Sequence, residues 1–134
     1  MTLDGRAILR GIWPPLATWG AAVFTVGVAS RQPGVVCVTP LAWLMSLWVG
    51  LRCIAVSRST VKGARLKEAA IAGLIFGVLQ GLLFAAVVPL MGPITEAEQQ
   101  KTVILVVVMI LVGSLVSGVL SLAIAASHER RRLR

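Results

Sequence analysis

The chain has 134 residues, 57% of them hydrophobic and 13% charged, and thirteen Lys and Arg against five Asp and Glu leave a formal net charge of +8. Soluble domains carry about twice that share of charge, and single-stranded nucleic acid is held by cations interleaved with aromatic rings that stack on bases. Here the cations sit in short segments between long apolar runs without such rings, so composition excludes an ordinary soluble domain and argues against nucleic acid.

Four apolar blocks follow one another: 12–29, 35–56, 69–91 and 103–126. Each is near or above the ~20 residues that a helix needs to cross a bilayer. The expected fold is all-α, a single domain over 1–134 with four transmembrane helices in an up-down bundle.

The first block follows Arg6 and Arg10 and contains Pro14, Pro15 and two Trp residues. A cleaved signal sequence has a plainer apolar core, although Val28-Ala29-Ser30 resembles a weak cleavage site. Retention or cleavage stays open on these residues, and either leaves the other three spans oriented alike. Ser30-Arg31-Gln32-Pro33-Gly34 then reads as a turn.

In the second block Thr39-Pro40 has the pattern of an N-cap followed by proline at the first helical position. Cys37 and Cys53 are sixteen positions apart, ~24 Å along a helix, too far to form a disulfide with each other. Arg52 is the one formal charge inside a block. It lies a turn from the inner end, where its side chain can reach headgroups, with Trp48 one turn earlier able to stack on the guanidinium. A lipid-phosphate or solute contact through Arg52 is the sharper reading. Trp13 fits the inner interface, while Trp19, Trp43 and Trp48 fall deeper and are expected inside the bundle.

The third block repeats small residues every four positions: Ala69, Gly73, Gly77, Gly81 and Ala85. Lipid tails are as apolar as Leu, so helices associate in membranes through close approach of such stripes. Gly73, Gly77 and Gly81 are accordingly the expected helix-packing seam, and the face on which a second membrane protein would dock. Gln80 lies within ~20° of Gly73. A mid-membrane amide needs a hydrogen-bond partner, and Ser114 or Ser117 of the fourth block is at similar depth. The alternative role for Gln80 is contact with a polar solute.

Thr95-Glu96-Ala97-Glu98 has the capping-box pattern before the fourth block, in which Gly113, Ser117, Ser121 and Ala125 form another small-residue stripe. The tail 128–134 holds His128 and four arginines. Ten of the thirteen cations lie before the first block, in the loop 57–68 or in this tail. Positive loops stay inside, so both termini and the middle loop are expected in the cytoplasm, against anionic lipid.

The five acids all fall in loops or at helix ends, and His128 is the one histidine, expected to be solvated. The small multidrug exporters are similar in size and span number, but they rest on a glutamate in the first helix, which this chain lacks. No cofactor, metal site or catalytic group is expected. The leading functional expectation is a non-catalytic accessory or scaffold subunit, partnered by another membrane protein or by itself. The alternative is a small homo-oligomeric transporter or channel for a lipid-linked, anionic or neutral solute, its path lined by Gln80, Arg52, Ser114, Ser117 and Ser121.

Overall fold

A computed structural model of the chain describes residues 3–30, 40–91 and 95–134. The expected turn at 31–34, Cys37, the expected cap Thr39 and the helix breakers Gly92 and Pro93 lie outside them. The described residues are helical, with no strand among them: α1 Gly5–Ser30, α2 Pro40–Val56, α3 Lys62–Val87, a 3-10 turn Val88–Met91, and α4 Glu96–Arg132.

Local chemistry sets these bounds. Asp4 caps α1, its carboxylate accepting from the Arg6 and Ala7 amides at 3.1 and 3.2 Å. The helix therefore starts seven residues before the apolar block, and it runs through Pro14 and Pro15. Pro89 lies in the 3-10 turn that ends α3, where a missing amide proton cannot continue the α-helical ladder. Thr95 and Glu98 form the expected capping box by two reciprocal bonds of 3.1 and 3.3 Å. Acids in the first turn of α4 and arginines in its last turn suit the helix dipole, and the helix extends well past its apolar centre at both ends.

Among the described residues two stretches are long and apolar enough to cross a bilayer: Gly63–Leu90, with a mean hydropathy of 2.4 over its 18-residue window, and Glu96–Arg132, with 3.0. The apolar part of α2, Leu41–Val56, is shorter. α3 packs against each of the other helices, α2 also meets α1 and α4, and α1 and α4 occupy opposite corners. Phe76, Val49 and Cys53 centre one core cluster with Ile12, and Trp19, Val23 and Phe84 centre another nearer the α3–α4 connection. Start of α1, middle loop and end of α4 meet at one end of the bundle, joined by an Asp4–Glu68 hydrogen bond and an Arg65–Glu129 ion pair. The three cation-rich segments thus share an end.

Candidate functional site

Glu68, in the second turn of α3, is fully buried at the cation-rich end. Its carboxylate accepts from the Asp4 amide at 2.9 Å, the Ser57 hydroxyl at 2.5 Å and the Ser59 hydroxyl at 2.7 Å. One side chain therefore fastens the start of α1 and the α2–α3 loop onto α3. Asp4 is held below the usual carboxylate range, chiefly by the Ala7 amide and, against some loss of solvation, by the Arg58 and Arg6 amides. Arg65 reaches across to Glu129 of α4 at 3.2 Å. These groups are spent on each other, so the cluster is a fastening. Sequence reading put Glu68 in the loop and missed it. The available signal was its position, a lone acid among four cations directly before an apolar block.

Farther into the bundle the glycine stripe of α3 receives α4. A methyl added at Gly73 would lie 2.5 Å from the Ser117 carbonyl oxygen; one at Gly77 would overlap the Ser114 backbone, and one at Gly81 the Ile110 side chain. Gly50 of α2 is closed in the same way, 2.5 Å from the Ser121 carbonyl. The stripe is thus the internal seam of the bundle. The expectation that it faces a second protein is corrected: this chain's own last helix fills it.

Hydroxyls do the bonding between helices. Ser121 donates to the Ala69 carbonyl at 2.7 Å, and Ser46 and Ser117 share a bond of 2.8 Å. Ser46 also donates to the Ala42 carbonyl, so the proton between the two serines is that of Ser117. Ser114 turns back to the Leu111 carbonyl of its own helix. The expected bond from Gln80 to Ser114 or Ser117 is absent: the hydroxyl protons go to Leu111 and Ser46, and the Gln80 Nε2 reaches neither oxygen.

Gln80 is 6% exposed and Trp19 is fully buried, and neither the Gln80 Nε2 nor the Trp19 Nε1 has a hydrogen-bond partner. A buried donor left unpaired costs about 1–3 kcal/mol. Both residues border one cavity of about 390 Å3. Trp43 and Ser46 border it from α2, and Met109, Gly113 and Ser117 from α4. A methyl added at Gly113 would meet nothing within 4 Å, in contrast with Gly77 on the facing helix. Among the described residues that border it, none is ionisable. Its size is that of a small-molecule pocket, mostly apolar with a few polar groups.

Arg52 lies elsewhere. It is exposed, and its Nε donates to the Arg10 carbonyl at 3.2 Å. Four residues on, Pro14 has no amide proton, so that carbonyl lacks its helical donor and Arg52 supplies one. The shallow groove beside Arg52 is bordered by Leu9, Trp13 and Pro14; Trp13 is 72% exposed and Trp48 is half-buried. Trp43, expected inside the bundle, is 63% exposed. His128 is half-buried rather than solvated, with an unpartnered Nδ1. Gln80, Ser117 and Gly77 are thus gathered at the cavity, whereas Arg52, Trp48 and Ser114 do not border it.

Compared with known proteins, the chain matches no family model, no curated protein and no solved structure.

Proposed function

We propose that this chain is a four-span integral membrane protein with both termini and the middle loop in the cytoplasm, and that it is a non-catalytic binder or carrier of a small uncharged solute held between its helices. What supports the topology is the gathering of Asp4, the loop 57–68 and Glu129, with the cations around them, at one end of an antiparallel bundle. Cations of that density favour the inner leaflet. A cysteine introduced at Ser59 should escape impermeant thiol reagents applied to intact cells, and one at Gln99 should react. The reverse pattern would overturn the orientation.

One observation carries the binding role: two unpartnered donors beside an uncharged cavity of about 390 Å3. Extraction of the protein in mild detergent, followed by mass spectrometry of its organic extract, tests this reading whatever the solute is. An apolar molecule should accompany the wild-type chain and be lost from Gly113→Leu, which fills the cavity from an unobstructed position. Identical extracts from the two proteins would refute it.

A second reading keeps the accessory subunit but moves its contact surface. Only 11% of the most apolar window of α4 is buried, so that helix touches the bundle along one stripe and leaves the rest to lipid or to another helix. A discrete larger complex on native electrophoresis of solubilised membranes favours this reading, and migration as a free monomer counts against it.

A further inference from the structure

The Trp19 Nε1 can only donate, and the Gln80 amide can turn either its Nε2 or its carbonyl oxygen to the cavity; both nitrogens lack a partner. The bordering serine hydroxyls offer no proton to a ligand, because Ser46 donates to Ala42 and Ser117 donates to Ser46. A ligand donor would therefore find serine lone pairs or the Gln80 carbonyl, while a ligand acceptor would relieve the unpaired N–H groups of Gln80 and Trp19. Among the described residues none at the wall is ionisable, so no described group there would offset the desolvation of a charged ligand. Trp43 offers aromatic surface, and Met109, Val112 and Val116 offer aliphatic surface.

Depth narrows the class further. Gln80 is twelve residues beyond Glu68 and nine before Pro89, so along α3 it is about 18 Å from the cation-rich end and about 13 Å from the far turn. In a four-span bundle that is the middle of the hydrocarbon. Ester carbonyls of glycerolipids sit at the interface and do not reach it. Water would meet two donors on one side and aliphatic wall on the others. A molecule that dissolves in the bilayer core and carries its own carbonyl oxygen satisfies every surface of the cavity.

We propose that the cavity between Trp19, Trp43, Gln80 and Gly113 is a binding site for a neutral, lipid-soluble carbonyl compound of the quinone or aryl ketone kind, whose oxygen accepts from the Gln80 amide and the Trp19 indole. This deepens the binding role above and rests on it. Binding alone is assigned; the site supplies no electron or proton carrier.

The test compares two probes of one shape, 1,4-naphthoquinone and naphthalene, added to the full chain with 15N-labelled tryptophan and glutamine in detergent micelles. The quinone should shift the Trp19 indole and Gln80 side-chain signals saturably, and should bind about tenfold more tightly than naphthalene, the effect of one or two hydrogen bonds in an apolar site. Gln80→Leu should reduce that preference several-fold while leaving naphthalene binding unchanged. Gly113→Leu should prevent both from binding while the remaining indole signals stay in place. Equal binding of the two probes to the wild type, or no binding of either, overturns the proposal, and the probe comparison needs no variant to fold. If a co-purified molecule is lost from Gly113→Leu while naphthoquinone shows no preference, the binding role stands and this ligand class falls.

Discussion

At the cation-rich end, Glu68 is buried with three donors on its carboxylate, and Arg65 and Glu129 are paired; deeper in the bundle Gln80 and Trp19 are also buried, and the Gln80 Nε2 and Trp19 Nε1 have no partner. The same contrast runs through the glycines: Gly73 and Gly77 are closed by the α4 backbone, while Gly113 on the facing helix opens into empty space. The fastening is completed by the chain itself, whereas beside the cavity two donors are left without an internal partner. Burial alone therefore says little about role, and the presence or absence of an internal partner separates a fastening from a site.

The sharpest way to break the contrast is to place the same side chain on both sides of the seam. Gly77→Leu drives its Cβ into the Ser114 backbone, where neither helix can yield, and should cost about 3 kcal/mol or prevent folding altogether. Gly113→Leu meets no backbone and should unfold at wild-type or higher denaturant. Unfolding of both variants in mixed micelles with rising dodecyl sulfate checks this, and equal losses would mean that the two sides of the seam are packed alike.

A smaller effect is expected at the fastening. Glu68→Gln keeps the shape but puts an amide donor against either the Ser57 hydroxyl or the Ser59 hydroxyl and Asp4 amide, and should cost about 1–2 kcal/mol. Amide hydrogen exchange at 5–8 and 57–59 should accelerate while the α3–α4 seam stays protected. Acceleration along the whole of α3 would show that Glu68 holds the core rather than the chain ends.

The smallest effect is one of pH. Because the folded Asp4 carboxyl titrates below its ordinary value, its contribution is fully present above the unfolded pKa and is lost as pH falls through the lower folded value. Exchange in the first turn of α1 should therefore rise between neutral pH and the acid side of the usual carboxylate range, and Asp4→Asn should remove that dependence. Glu98, lowered chiefly by the Thr95 amide, should give the first turn of α4 a dependence of the same sign. A rise on alkalinisation would contradict both assignments.

Much of this architecture is written locally. The all-helical fold, the capping box at Thr95, the glycine seam of α3 and the sorting of cations into three segments follow from spacing, small residues and turn chemistry within a few positions. The helix lengths are less legible, since α1 begins at a cap supplied by Asp4 and α4 overruns its apolar block because its terminal charges suit the dipole. The partnering of polar groups is not legible at all. Ser117 was equally able to meet Gln80 or Ser46, and the crossing of α2 over α4 gave it to Ser46.

Sequence alone determined that these residues form helices suited to hydrocarbon and which faces could approach closely, because propensity, period and side-chain size act within one element. Only the tertiary structure decided that the glycine stripe is used up internally, that Arg52 answers a carbonyl released by Pro14, and that a cavity with two free donors remains. Those outcomes depend on which neighbour reaches a group first, and that competition is settled by how the four helices cross.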